Sequence, residues 1–246
     1  MNFRYETKKI KSGFKYVIGC DEVGRGCLAG PVVAAAVALP QVESSKVHKV
    51  IKSAGIKDSK LLAPAKREEL SALIKKYFLW SIAEVSSEVI DEINIHNASL
   101  LAMKKAVEQL LCHCERVHPS EAILSNGKDC RVGHPPKADW PPRNDSSLLA
   151  VDGKFRVTGL SIPQESIISG DNKVLSIAAA SIIAKVYRDN LMQKLHQRYP
   201  AYNLKQHKGY ATVYHRKIII ERGLSPLHRV SFCGKLKAGS LLPILA

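Results

Sequence analysis

Residues 16–37 read YVIGCDEVGRGCLAGPVVAAAV, two apolar runs on either side of a glycine-rich turn. Residues 16–20 and Val32–Leu39 are short, apolar and rich in β-branched or small residues, which predicts strands. Gly24, Gly26 and Gly30 between them predict a sharp reversal and so an antiparallel pair. At the end of the first strand stand two adjacent carboxylates, Asp21 and Glu22, and Gly24-Arg25-Gly26 follows at once. Burying such acids unpaired is costly. Alternation along a strand sends neighbours to opposite faces, so either the chain bends there or one acid leaves the sheet. Something positive has to meet them.

Working outward, Pro64–Tyr77 predicts a helix, with proline in its first turn and Leu70, Leu73, Ile74 and Tyr77 at helical spacing. Leu79–Val85 predicts a third strand, and Asn97 a cap for a helix running to Leu111. Residues 126–145, NGKDCRVGHPPKADWPPRND, are rich in proline, glycine and charge and predict a surface-loop insertion. Residues 147–151 form a candidate buried strand ending at Asp152, and residues 165–169 another ending at Gly170-Asp171. A long helix is expected from Lys173, apolar at its start and basic towards its end. A shorter one, Val213–Arg222, is stopped by Gly223. Helices among at least five strands give an α/β class, read as one domain over residues 1–246.

With 46% hydrophobic residues the chain can build a substantial core. Lys and Arg number 37 against 22 Asp and Glu, a net charge of +15, which favours a polyanionic partner, nucleic acid first. An anionic membrane ranks lower, because no basic amphipathic helix with a bulky apolar face stands out. No stretch is long and apolar enough for a bilayer span, and the first sixteen residues lack a signal-type apolar run. A cytoplasmic, monomeric protein is expected, with Cys20, Cys27, Cys112, Cys114, Cys130 and Cys233 as reduced thiols. A structural zinc set of Cys112, Cys114, Cys130 and His134 is the weaker alternative, since the Cys-x-Cys spacing is tight.

Acids recur at the strand ends: Asp21 with Glu22, then Asp152, then Asp171. Open α/β sheets tend to place their sites at such ends. Carboxylates gathered there repel one another, and divalent cations relieve that repulsion; all-oxygen sets suit Mg²⁺ or Mn²⁺. Two ions about 3.5–4 Å apart can activate a water and stabilise the leaving oxygen of a phosphodiester. Singly, Asp152-Gly153 is also a common turn dipeptide and Asp171 a common helix cap. Composition and spacing therefore reach a metal-dependent enzyme or binder acting on nucleic acid.

GCDEVGRGCLAGPVVAAAV resembles the signature of bacterial ribonuclease HII. KDSKLL (57–62), AVDGK (150–154), SGDNKVLSIAAASIIAKVYRDNLM (169–192), HKGYATVYH (207–215) and LSPLHRVSF (224–232) resemble its later motifs, in the same order. The resemblance implies a ribonuclease H-like fold, a mixed five-stranded sheet flanked by helices, with a short C-terminal helical part. It implies cleavage of the RNA strand of RNA–DNA hybrids and nicking 5′ to a ribonucleotide embedded in duplex DNA. It makes Asp21, Glu22, Asp152 and Asp171 the catalytic metal ligands for two ions, Mg²⁺ or Mn²⁺. Gly24, Arg25 and Gly26 become the ribonucleotide-reading turn, and Tyr210 a ring that stacks against the sugar on the 3′ side and reaches a phosphate through its hydroxyl. Glycines let main-chain groups approach the 2′-hydroxyl, which distinguishes RNA from DNA. Arg25 could clamp a phosphate. Lys60, Lys185, Arg188, His207 and Lys208 are candidate backbone contacts.

AILSNGK (122–128) echoes LLAVDGK (148–154) but carries Asn126 where the acid belongs, so Asp152 is taken as the ligand. Residues 126–145 depart from the family pattern, and no accessory duplex-binding helix is expected after Phe232. Arg25 argues against the sister type, ribonuclease HIII. A Holliday-junction resolvase or integrase, and a non-catalytic nucleic-acid binder, are the readings from other classes.

Overall fold

A computed structural model describes residues 3–39, 45–56, 59–116, 131–133 and 146–236. Six strands form one mixed sheet: β1 Tyr16–Val23, β2 Val32–Leu39, β3 Leu79–Val85, β4 Arg131–Gly133, β5 Ser147–Asp152 and β6 Gln164–Ile167. Their order is β4-β3-β2-β1-β5-β6. β1, β2, β3 and β4 pair antiparallel in succession, while β1–β5 and β5–β6 are parallel. The expected five-stranded mixed sheet is present, and β4 adds a short sixth strand at the β3 edge. That strand comes from within residues 126–145, so the segment read as wholly surface loop contributes three residues to the sheet. β1 also runs to Val23, past the expected end at Cys20, because its ladder with β2 continues to Val23↔Val33.

The helices are α1 Arg4–Lys11, α2 Ser45–Ala54, α3 Pro64–Tyr77, α4 Ser87–Arg116, α5 Leu175–Arg198, α6 Leu204–His207, α7 Val213–Arg222 and α8 Val230–Cys233. α1 and α2 carried no clear sequence signal. α4 is two helical pieces joined at Asn94, whose φ of 66° and ψ of 163° are not helical. The Asn94 side chain accepts from the Asn97 N–H at 3.1 Å, so the cap lies three residues before the expected Asn97. β6 stops at Ile167, short of the expected Ser169, because Ser169 turns left-handed with φ 54°.

Strand alternation builds a core on each face of the sheet. Ile18, Cys20, Ala34, Ala36 and Ala38 pack against Ile90, Ala102, Ala106, Val107 and Leu110 of α4. Val33, Ala35, Val37 and Leu39 pack against Leu70 and Ile74 of α3 and Ala178, Ala179, Ile182 and Ile183 of α5. The small side chains of β2 let both helix layers approach the central strands. Gly19 carries this furthest: a Cβ there would lie 2.1 Å from the carbonyl carbon of Ser176, so the first turn of α5 rests on the β1 backbone. Buried Glu6 of α1 accepts from the Ser176 N–H at 2.9 Å, satisfying one free donor at the start of α5. α6, α7 and α8 make the expected C-terminal helical part, where Met192, Tyr202, Leu204 and Ile218 close over Ala29. Among the described residues no helix is long and apolar enough to cross a membrane.

Candidate active site

β1 stays regular through its acids, with Asp21 opposite Ala35 and Glu22 opposite Ala34. The two carboxylates therefore do split across the sheet, Asp21 towards α5 and Glu22 towards α4, without a bend. The strand ends one residue later, so both stand at the same end of the sheet. The parallel register Cys20↔Val151 carries Asp152 level with Asp21. Asp171 sits in the single 3-10 turn Gly170–Asn172 that leads into α5 and is buried.

Three of these acids, Asp21, Glu22 and Asp152, are shifted in the same direction. Burial pushes the Asp21 carboxyl well above the ordinary range, and Glu22 and Asp152 push it further. Burial also raises Glu22, with Asp152 adding to it and Arg25 opposing. Asp152 is raised by burial and by Asp171, against a hydrogen bond from Gly170. Like charges in a poorly solvated place produce this pattern, and it is common where function requires it.

Each of the four has a local partner. The Glu22 N–H donates to Asp21 Oδ1 at 2.8 Å. Arg25 Nη1 lies 3.0 Å from Glu22 Oε1. The Gly170 N–H donates to Asp152 Oδ1 at 2.6 Å. Asp171 meets Lys60 Nζ at 3.4 Å and accepts from Asn172 Nδ2 at 3.1 Å. With these partners in place, no three His, Cys, Asp or Glu side chains among the described residues stand close enough together to hold a metal ion. A cavity of about 260 Å³ opens beside Glu22, Arg25 and Asp152, walled by His96 and Phe155. The two rings meet edge-on at 4.5 Å. Neither aromatic was marked by the sequence, since a lone histidine on a helix carries no motif.

Tyr210 arrives beside the glycine turn from a distant part of the chain. A β-bridge joins Cys27 to Tyr210, and the Leu28 N–H donates to the Gly209 carbonyl at 2.8 Å. Tyr210 remains 39% exposed, with Lys185 Nζ 5.7 Å from its ring centre. Lys208 lines a polar cavity of about 370 Å³ with Lys185, Asp189 and Gln206. Lys60 keeps its side chain 77% exposed.

Two residues expected to touch a phosphate backbone do not reach the surface. Arg188 is fully buried and spends its guanidinium on main-chain carbonyls: Pro31 at 3.1 Å, Lys208 at 2.8 Å and Ala29 at 3.2 Å. His207 is also buried, with its ring nitrogens on Tyr202 O and Gly209 N–H. Arg229, which the sequence did not single out, is a second buried guanidinium, on Gly30 O at 2.8 and 3.0 Å and Arg25 O at 2.9 Å. The two arginines tie the turn holding Gly24-Arg25-Gly26 to the Tyr210 loop. Gly24 serves that clamp: at φ +95° its missing Cβ leaves room for Arg188 Nε, which would lie 2.3 Å away. A Cβ on Gly26 would meet nothing within 4 Å, so of the two glycines flanking Arg25 it is Gly26 that opens to solvent on its side-chain side.

His215 and His228 are buried beneath Tyr210, and burial lowers each to about 4. Between about pH 4 and 6.5 the unfolded chain binds more protons at these sites than the folded one. Stability from this pair is complete above about pH 6.5 and is lost as pH falls towards 4, by on the order of 2–3 kcal/mol per histidine. Urea midpoints from pH 7 to 4.5 should show a steeper acid loss in the wild type than in His228→Asn; equal slopes would refute it.

Of the zinc alternative only Cys112 can be followed, and it is exposed. Cys130 and His134 lie outside the described residues, as do Asn126 and most of residues 126–145; the side chain of Cys114 is not described either.

The ribonuclease HII family model matches residues 18–128 and 145–235, leaving residues 129–144 unmatched. The chain is 45% identical over 234 residues to a ribonuclease HII of Chloroherpeton thalassium, covering 94% of this chain and 96% of that one. It is 38% identical over 231 residues to one of Caldicellulosiruptor bescii, covering 94% and 92%. In fold it is similar to the ribonuclease H2 of Pyrococcus horikoshii OT3, at TM-score 0.61 and 21% identity, covering 90% of this chain and 97% of that one. It is also similar to Bst-RNase HIII solved in complex with Mn²⁺, at TM-score 0.64 and 17% identity, covering 93% and 71%. Motif order, fold and relatives agree: the chain belongs to the ribonuclease HII family of metal-dependent endoribonucleases that cut the RNA of RNA–DNA hybrids.

Proposed function

We propose that the chain also nicks duplex DNA 5′ to an embedded ribonucleotide, leaving 3′-hydroxyl and 5′-phosphate ends, with two divalent ions held by Asp21, Glu22, Asp152 and Asp171. The observation that carries this is the convergence of those carboxylates from three chain segments on one end of the sheet: Asp21 and Glu22 near the end of β1, Asp152 level with them on β5, and Asp171 in the turn whose Gly170 N–H bonds Asp152. An all-oxygen, like-charged, poorly solvated set fits Mg²⁺ or Mn²⁺. The Mn²⁺ of the Bst-RNase HIII complex supports the choice of metal class. Bound there, the ions would activate water and stabilise the departing oxygen. The acids would exchange Arg25, Gly170 N–H and Lys60 for metal, and Arg25, released from Glu22, would be free for a phosphate.

Gly24-Arg25-Gly26 and Tyr210 read the ribonucleotide. The carboxylates meet oxygens that RNA and DNA share, so discrimination has to come from elsewhere, and this turn follows the β1 acids directly, its glycines leaving main-chain groups open to a 2′-hydroxyl. Lys60 and Lys208 supply phosphate contacts on either side. Incubating a duplex that bears one ribonucleotide with and without Mg²⁺, and mapping the nick, tests the whole assignment. Cutting 3′ to the ribonucleotide, or without metal, would overturn it.

The net charge of +15 implies phosphate contacts along the duplex. Binding should therefore weaken with salt, with a log–log slope of about −0.9 per phosphate neutralised on duplex DNA. A flat salt titration would refute that use of the charge.

One catalytic domain spans the chain in this reading, working as a monomer, with residues 126–145 as an insertion. The interruption of the family match at residues 129–144 supports the insertion. A short Gly-Ser replacement of residues 126–145 removes β4 and its pairing with Trp80, Ser81 and Ile82. The expected outcome is a loss of about 1–2 kcal/mol in urea unfolding with metal-dependent cleavage retained. Loss of cleavage in a folded variant would contradict it. A cytoplasmic setting fits the free thiols Cys20, Cys27, Cys112 and Cys233.

A further inference from the structure

Behind Tyr210 lies a chain of hydrogen bonds between histidines that the proposed chemistry does not use. The Ser225 N–H donates to His228 Nδ1 at 2.9 Å. His228 Nε2 and His215 Nε2 face each other at 3.1 Å. His215 Nδ1 lies 2.9 Å from the Tyr210 carbonyl. Both ends fix the direction of the chain. A backbone N–H can only donate, so His228 Nδ1 is bare and a neutral ring carries its proton on Nε2. A carbonyl can only accept, so His215 carries its proton on Nδ1 and its bare Nε2 receives the one from His228. The middle contact, ambiguous by itself, is satisfied by the two ends independently.

The surroundings keep both rings neutral. His215 is fully buried and His228 is 3% exposed. His207 stacks on His215 at 4.0 Å, with its own tautomer set by the Gly209 N–H at Nδ1 and the Tyr202 carbonyl at Nε2. A charge on any of the three would face a neighbour's N–H or ring.

We infer that His228 and His215 form a one-directional relay that positions Tyr210 for ribonucleotide recognition. The inference rests on the recognition role proposed for Tyr210. The main chain of Tyr210 is held on both sides: its N–H donates to the His207 carbonyl at 2.9 Å, and its carbonyl receives the Thr212 N–H at 2.8 Å together with His215 Nδ1. Its ring is left exposed. A rigid backbone under a part-exposed aromatic ring suits stacking against a sugar or base. Without His215 the carbonyl keeps only its neighbour Thr212, three residues closer along the chain, and the loop loses its tie to residues 225–228.

Substitutions at His215 separate positioning from general support. An asparagine amide nitrogen stands where Nδ1 stands and can still donate to the Tyr210 carbonyl. A glutamine amide reaches the Nε2 position and cannot, and leucine donates nothing. With a duplex bearing one ribonucleotide, His215→Gln and His215→Leu are expected to raise KM about tenfold while kcat moves less than about twofold. His215→Asn is expected to stay near wild-type KM. A merely structural role would rank the three by melting temperature and lower the active fraction without changing KM. If His215→Leu fails to fold, His215→Gln and ¹⁵N spectra of the wild type carry the test. The spectra should place protons on His215 Nδ1 and His228 Nε2, and the opposite tautomers would overturn the relay. Tyr210→Ala is the control. Unchanged KM in that variant overturns the recognition role of Tyr210 and the positioning with it. Raised KM there, with wild-type KM in the folded Gln and Leu variants, overturns the relay alone.

Discussion

Asp21→Asn is expected to lose nearly all cleavage while making the metal-free protein slightly more stable. The two effects share a cause. Asp21 is only 6% exposed, and burial together with Glu22 and Asp152 disfavours its charge. An amide keeps the shape and can still accept the Glu22 N–H, which donates to Asp21 Oδ1 at 2.8 Å. It removes one charge from a repelling set, worth about 1 kcal/mol or less in folding. The same amide is a poor ligand for a hard cation. Losing a metal's stabilisation of developing charge removes several kcal/mol from the transition state, about 10²–10⁴ in rate. Thermal melts complete the test. Wild type should gain about 2.7 kcal/mol at a metal concentration one hundred times Kd, and Asp21→Asn markedly less. Asp152→Asn should behave alike, and Asn126→Ala should not. A lower metal-free melting temperature in Asp21→Asn, or near-normal turnover, would refute the electrostatic account.

Much of this site was legible in the sequence because its acids mark the ends of strands. Residues 16–39 announce two strands and a turn by apolar runs and glycines, and Asp152 and Asp171 follow equally plain signals. What stayed hidden depends on contacts across long separations. Nothing near Arg188 tells that its guanidinium will be enclosed by carbonyls of residues 29, 31 and 208. On a helix read as basic towards its end, it passed for one more solvated cation. His207 was misplaced for the same reason, since Lys208 beside it suggested a phosphate surface. The cap at Asn94 was missed because two asparagines three residues apart both suit a helix start, and only the backbone decides. β4 was hidden by composition: proline and glycine around it outweighed three residues whose pairing partner lies some fifty positions earlier.

The second large effect is expected at Arg188. Arg188→Met should cost about 3–5 kcal/mol in urea unfolding, comparable with breaking a buried charge network. Three carbonyls lose this donor, Ala29 in a buried contact and Pro31 and Lys208 in part-buried ones, and each acceptor left without a partner costs about 1–3 kcal/mol. Part is recovered because the buried charge disappears too. Arg188→Lys should do little better, since a single ammonium on a flexible stem cannot serve three carbonyls aimed at a planar fork. Gly24→Ala attacks the same clamp from the other side. Its Cβ would press on Arg188 Nε at 2.3 Å from a backbone at φ +95°, and a loss of about 1–3 kcal/mol is expected. Gly26→Ala has open space, so it should keep its stability and reveal any close approach of substrate through KM. This separates two glycines that look identical in the motif: Gly24 makes room for an arginine of the protein, and Gly26 faces open space. A drop of less than about 1 kcal/mol in Arg188→Met, or equal destabilisation by the two glycine variants, would show that the loops are held together by something other than this clamp.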